Sequence, residues 1–195
     1  LVLQVTRDAE GRITAFGEEG APRESLGWLE ADGSRLGDDL AAQAERLRGN
    51  LAIAAAMVHD FRGMSRTIER HVEKLEVAAD RQPNLADSLR ETASFLKWLL
   101  AENFVLMGIT VGDERLGVER LDLPLFAQRD DAWPPPHEPG NVQVRKSHIE
   151  SPVHRAGRID EIRVSHPDGA DLGEPLHIRG MFTYRAVTQP SRNVP

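Results

Sequence analysis

The sequence predicts an α+β chain, on three observations. Apolar residues alternate near period two at the start and repeat every 3.5 residues through the middle. Arg81-Gln82-Pro83 cuts the middle into two helices, because proline cannot continue one. From Phe104 onward the segments read as strands again. The division is a β segment over 1–36, a long helical hairpin over 37–102 and a β-rich domain over 103–195.

In the first part, Leu1, Leu3 and Val5 alternate with Val2, Gln4 and Thr6. Asp8-Ala9-Glu10-Gly11 supplies a turn and Ile13 to Phe16 a short return strand. Glu24 to Glu30 is expected as a third strand. Three strands without a helical cover are marginal alone, so they need the helix that follows or a partner.

Leu40, Ala44, Leu47, Leu51, Ala54, Val58, Phe61, Ser65, Ile68, Val72 and Leu75 step by four and three in turn, and all but Ser65 are apolar. Asp38 and Asp39 suit the positive end of the helix dipole. A helix from Asp38 to Ala79 is roughly 60 Å long at 1.5 Å per residue. That is too long to cover one small sheet, so part of it should pack on another helix or on a second subunit. Gly49 and Gly63 each cost about 1 kcal/mol relative to Ala, and Gly63 is the better place for a bend. After the break, Asn84 is the expected N-cap of a second helix that runs to about Glu102 and ends at Asn103.

Phe104 to Val111 is strand-like, and 116–121, 141–148, 158–165 and 175–187 are four further expected strands. Pro167-Asp168-Gly169 is a turn signal between the last two. Asp113 to Gly140 is rich in loop residues, with Trp133-Pro134-Pro135-Pro136 extended or disordered. The strands of this part are expected to form an antiparallel sheet over the second helix.

The chain has 195 residues and no cysteine, which excludes disulfides, thiolate metal sites and cysteine nucleophiles. It begins at Leu1 rather than Met, from which a piece of something longer is expected. No apolar run approaches the ~20 residues of a membrane span. The net charge of −7 is uneven: residues 141–195 carry eight Lys/Arg against six Asp/Glu, +2, which leaves −9 for residues 1–140. That balance argues against a nucleic-acid partner, whose affinity comes mainly from neutralised phosphates.

The richest chemistry lies in Val144-Arg145-Lys146-Ser147-His148-Ile149-Glu150-Ser151-Pro152-Val153-His154-Arg155. Arg145, Lys146, His148, His154 and Arg155 suit an anion such as a dicarboxylate or a nucleotide phosphate. They also suit a pairing with the acidic helical face or with another domain, and that use is favoured over an anion site. Pro152 fixes a bend that sets His154 and Arg155 apart from the strand. His148, His154 and Asp160 are spaced by six, unlike a zinc site. His59 and His71 are too far apart on the long helix for one ion, and are expected to be partly exposed. Ser147, Ser151 and Thr183 lack a nucleophile-elbow glycine pattern, and Asp130-Asp131 lies in a proline-rich loop. Gly11, Gly17, Gly20 and Gly27 match no phosphate-binding fingerprint. Trp28, Phe95, Trp98 and Phe104 are expected in the core.

The same segment, followed by Arg158-Ile159-Asp160-Glu161-Ile162 and Gly180-Met181-Phe182-Thr183, resembles the N-terminal, non-catalytic region of the large bacterial NAD-dependent glutamate dehydrogenases. Leu3 to Arg12, the helix after Leu36, and Phe95-Leu96-Lys97-Trp98-Leu99 through Phe104-Val105-Leu106-Met107-Gly108 are similar to that region too, whereas Asp113 to Gly140 matches poorly. The resemblance implies an ACT-like fold for the first strands, lacking the first ACT strand and helix, and a PAS-like fold for the last part. It implies a parent that oxidises L-glutamate to 2-oxoglutarate with NAD in the cytoplasm, its Rossmann site and catalytic lysine lying far downstream. This segment would then hold no catalytic, cofactor or metal residue. Its partners would be other domains of the same polypeptide, further copies in a homo-oligomer and an amino-acid or other small effector. The alternative is a free-standing PAS-like sensor or ligand-binding module.

Overall fold

The period-two start forms β1 (Val2–Arg7), which lies between β2 (Ile13–Phe16) and β3 (Arg23–Ser25), antiparallel to both. The computed structural model describes residues 2–25, 27, 39–127, 133, 141–166 and 172–188. They divide into two units, Leu1–Glu45 and Arg46–Pro195.

In the first unit Asp8 builds the expected turn. Its carbonyl accepts the Gly11 N–H at 3.0 Å and its carboxylate accepts the Arg12 N–H at 2.8 Å. The Arg12 backbone and guanidinium hold the Asp8 carboxyl below the usual carboxylate range. Arg7 and Glu24 pair at 2.6 Å between β1 and β3. Among the described residues the third strand is Arg23–Ser25, and of the expected Glu24 to Glu30 residues 26 and 28–30 lie outside them. Trp28, Asp38, Asp130-Asp131 and Pro167-Asp168-Gly169 lie outside them as well.

The long helix, α1, runs Leu40–Arg81, two residues beyond the expected Asp38–Ala79 at its C-terminal end. Asp39 caps it, accepting the Ala42 N–H at 2.9 Å. Helical bonding continues through Gly63 without the expected bend, and Leu116 packs beside it, 3.5 Å from where a Cβ would lie. The buried face is Ile53, Ala56, Asp60, Met64, Ile68, His71, Leu75 and Ala78, which meets the expected stripe only from Ile68. Leu51, Val58 and Phe61 are 60%, 78% and 54% exposed. The reason is geometric. A 3.5-residue repeat drifts about 20° per heptad around a straight helix, roughly 100° over five heptads. Both ends of such a stripe cannot face one core.

The second helix, α2 (Ala86–Trp98), packs on the later part of α1 through Leu75, Ala79, Leu89, Ala93 and Leu96. Lys97 with Glu76 at 2.6 Å and Arg90 with Asp80 at 3.0 Å show the antiparallel direction. These exposed pairs contribute about 0–1 kcal/mol each, so the apolar cluster holds the helices together. Leu85, not Asn84, precedes the first helical residue, and no side chain caps it. The backbone turn replaces the cap, with Leu85 N–H donating to the Gln82 carbonyl at 2.9 Å. A wide turn, Leu99–Asn103, ends the helix, with Glu102 at φ 64°. The Asn103 amide closes it on the Trp98 carbonyl at 2.8 Å.

Five antiparallel strands follow: β4 (Phe104–Val111), β5 (Glu114–Gly117), β6 (Val142–Glu150), β7 (Arg158–Val164) and β8 (Leu176–Phe182), ordered β5-β4-β8-β7-β6. The strand expected over 116–121 is β5 followed by a 3-10 turn, Val118–Leu121. Gly117 forces the change, at φ 64° with the Met107 carbonyl oxygen 2.2 Å from where a Cβ would lie. The strand expected over 175–187 ends at Phe182, and a short helix takes Tyr184–Thr188. One sheet face, with Leu106, Ile109, Val144, Ile162 and Ile178, packs on the helices. The other carries Met107, Ile159 and Met181 beside Val118, Phe126 and Ile53. Phe95 and Phe104 are buried as expected, and Trp98 is partly buried against the same core.

Asp60 ties α1 to β5. Its carboxylate takes the Gly117 N–H at 2.8 Å, Arg120 at 3.1 Å and His59 at 2.7 Å. Burial pushes this carboxyl up, and those donors outweigh it and hold the group below its usual range. No helix among the described residues is long and apolar enough to cross a membrane.

His71 is 4% exposed, against the expectation of a partly exposed side chain. Its ring stacks on His166 with centroids 6.2 Å apart. It stands on the buried face of α1 rather than the outer one, and its Nδ1 lies 3.2 Å from the Thr67 carbonyl. Burial, with nearby Lys74, pushes both imidazoles below their ordinary range. The unfolded chain then binds protons near pH 6.5 that the folded chain refuses. Stability is therefore full above about pH 6.5 and falls as pH drops below it. Melting temperature is expected to fall from neutral pH to about pH 5.5, and His71→Gln should flatten that slope. An unchanged slope in the variant contradicts the assignment.

Candidate functional site

The strand register builds the site. Gly108, Arg179, Glu161 and Arg145 are successive partners across β4, β8, β7 and β6. Thr110, His177, Arg163 and Gln143 form the next row but one. Residues two apart on a strand share a face, so both rows stand on the face away from α2.

The first row is an ion network. Glu161 accepts Arg145 Nε at 2.8 Å on one carboxylate oxygen and Arg179 Nε at 2.9 Å on the other. Arg179 also reaches Glu119 at 2.9 Å and the Phe126 carbonyl at 2.8 Å. Glu161 and Arg179 are 5% and 7% exposed. Buried charges survive only when paired and hydrogen-bonded, and each carboxylate here has a guanidinium partner.

Gly108 makes the network possible. A Cβ there would lie 2.8 Å from Val118 Cγ2 and 3.0 Å from Glu119 Cγ. The absent side chain lets the 3-10 turn lie on the sheet and delivers Glu119 to Arg179. The Arg179 bond to Phe126 then holds the next short helix, α3 (Pro124–Ala127), on the same face.

Between these elements is a cavity of about 210 Å³. Thr110, Glu119, Trp133, Arg145, Glu161, Arg163, His177 and Arg179 line it. Trp133 lies over the Arg145 guanidinium, 4.0 Å from carbon to ring centroid, and 5.9 Å from the His177 ring. Arg163 Nε is buried without a hydrogen-bond partner. Among the described residues no group of three or more His, Asp and Glu side chains is placed to hold a metal ion.

The five residues singled out in the sequence are dispersed. Arg145 lines the cavity. Lys146 points to the opposite face and pairs with buried Asp160 at 2.6 Å. His148 is exposed on β6. His154 and Arg155 lie in the β6–β7 loop, His154 at φ 69° and Arg155 donating to the Phe182 carbonyl at 3.0 Å. Sequence reasoning missed Glu119, Glu161, Arg163, His177 and Arg179. The available signal was a polar pair two apart in each strand: Gln143/Arg145, Glu161/Arg163 and His177/Arg179.

Gly108→Ala is expected to destabilise the chain by about 1–3 kcal/mol, because the new methyl overpacks a buried contact and displaces Glu119. The urea midpoint measures it, and a midpoint equal to that of the parent chain contradicts the close approach.

No family model and no solved structure matches the chain. The NAD-specific glutamate dehydrogenase of Halomonas elongata is 31% identical over 224 aligned positions, covering the whole of this chain. That of Pseudomonas aeruginosa is 26% identical over 221, again across the whole chain. The chain spans 14% of the length of each. It is related to a segment of these NAD-specific glutamate dehydrogenases.

Proposed function

We propose that the chain is a non-catalytic regulatory and assembly segment of a large NAD-specific glutamate dehydrogenase. The parent polypeptide converts L-glutamate and NAD to 2-oxoglutarate, ammonia and NADH in the cytoplasm, with NAD bound outside this segment. The observation that carries this proposal is similarity along the whole chain to two such enzymes, of which the chain spans 14%. A segment that short leaves most of each enzyme to hold the catalytic apparatus. In this proposal the segment comes from the N-terminal region. Residues 1–36 are the partial ACT-like part, 37–102 the helical hairpin and 103–195 the PAS-like part. The three-stranded and five-stranded antiparallel sheets are in keeping with that division.

Assembly is supported by α1. Leu47, Leu51, Val58 and Phe61 are exposed at heptad spacing, the spacing at which a second helix packs. Val58 and Phe61 also border a largely apolar groove of about 680 Å³, walled by Leu99, Leu100, Phe104 and Leu106. Apolar surface gathered in this way marks interaction sites. Its partners are other domains of the same polypeptide or further copies of the chain. Of the basic residues between Arg145 and Arg155, Arg145 and Lys146 already hold carboxylates, which favours pairing as their role.

The charged cavity gives a second reading its support: a free-standing PAS-like sensor or ligand-binding module. The native gene product distinguishes the two. A polypeptide several times longer than 195 residues that reduces NAD with glutamate, while the isolated chain makes no NADH, is expected. NADH production by the isolated chain overturns the non-catalytic role. A native product ending near Pro195 without that activity overturns the dehydrogenase assignment.

A further inference from the structure

We propose that the cavity on the outer face of the five-stranded sheet binds a small carboxylate anion, with Arg163 as its anchor. The inference stands on the geometry of the cavity and holds whether or not the segment regulates a dehydrogenase.

The charge balance comes first. The described residues that line the cavity include three guanidinium groups, Arg145, Arg163 and Arg179, and two carboxylates, Glu119 and Glu161. Both carboxylates are engaged: Glu161 lies between Arg145 and Arg179, and Glu119 meets Arg179. Arg163 is therefore the excess cation of the described lining. Its Nε is buried and has no hydrogen-bond partner. An unsatisfied buried donor is costly, more so when charged, so the position gains from an acceptor. A carboxylate matches it, because the edge of a guanidinium presents two parallel N–H groups at the spacing of two carboxylate oxygens.

The neighbours set the rest of the ligand. Arg163 is paired in register with His177 on one side and Gln143 on the other, and Thr110 is partner to His177. These polar groups lie beside the anchor. Trp133 forms an apolar wall near His177 and Arg145. Among the described residues an amino-acid ammonium finds no carboxylate to spare, since Glu119 and Glu161 already serve the arginines. The cavity, about 210 Å³, is smaller than the roughly 300–1,000 Å³ pockets that take drug-sized ligands. It suits a metabolite-sized mono- or dicarboxylic acid with a short carbon chain.

The test is titration of the purified chain with succinate, with inorganic phosphate at equal ionic strength as the comparison. Calorimetry and tryptophan fluorescence read binding, the latter because Trp133 lines the cavity. Saturable succinate binding with a fluorescence change is expected, with phosphate at least about tenfold weaker. Arg163→Gln should weaken succinate about tenfold or more while leaving the circular dichroism spectrum unchanged. Arg163→Lys keeps the charge but loses the fork, and should fall between the two. If Arg163→Gln does not fold, Arg163→Lys alone carries the test, and affinity equal to that of the parent chain overturns the proposal. Absence of succinate binding to the folded parent chain overturns it, as does equal binding by Arg163→Gln. Phosphate binding as tightly as succinate replaces the carboxylate site with a general anion site. Succinate binding with no effect on dehydrogenase activity of the native enzyme leaves the site standing and removes regulation from the proposed function.

Discussion

The second unit depends on one buried arrangement, the Glu161 carboxylate held between Arg145 and Arg179. It joins three strands side by side, and through Arg179 it joins them to the Glu119 turn and to the carbonyl of Phe126. Desolvating these charges is costly, and their attraction offsets that cost only when every group is matched. A one-residue slip of any strand would turn its member of the row to the other face. The network is therefore matched in one register of the strands. The apolar cluster beneath, with Ile109, Ile162 and Ile178, selects the same register from the opposite face.

A second constraint is the length of α1. Forty-two residues exceed what α2 and the sheet can cover. The later part is buried against α2, and the earlier part leaves Leu47, Leu51 and Val58 exposed. Asp60 stands where the two regimes meet and fixes the helix to Gly117 at the end of β5. Gly108 and Gly117 serve one purpose there, each admitting a neighbouring segment that a side chain would exclude. Small residues at that junction let helix, strand and 3-10 turn approach closely enough for Asp60 and Glu119 to find their partners.

Much of the fold was legible in the sequence, and the legible parts share a cause. β1, β2, β4 and the Pro83 break follow from local signals: alternation, a turn built by Asp8 and Gly11, and proline chemistry. The buried face of α1 was not legible before Ile68, because periodicity alone cannot say which of two drifting stripes meets the core. The Asn84 cap failed because the backbone turn at Gln82 and Pro83 already satisfied the helix start. Arg145 was found as a charged residue in a dense segment. Its partners Glu161 and Arg179 were not, because pairing across strands depends on register, which a single sequence does not reveal. Neighbours in sequence, Arg145 and Lys146, went to opposite faces for the elementary reason that a strand alternates.

The register of the five-stranded sheet both builds the charged cavity and positions its walls. A double-mutant cycle on Glu161 and Arg179 tests it most directly, using Glu161→Gln, Arg179→Met and the double variant in urea unfolding. The two residues are expected to be coupled, with an interaction energy in the range of about 0.5–3 kcal/mol seen for groups in one network. Changes that simply add, within about 0.3–0.5 kcal/mol as for independent sites, would contradict the arrangement.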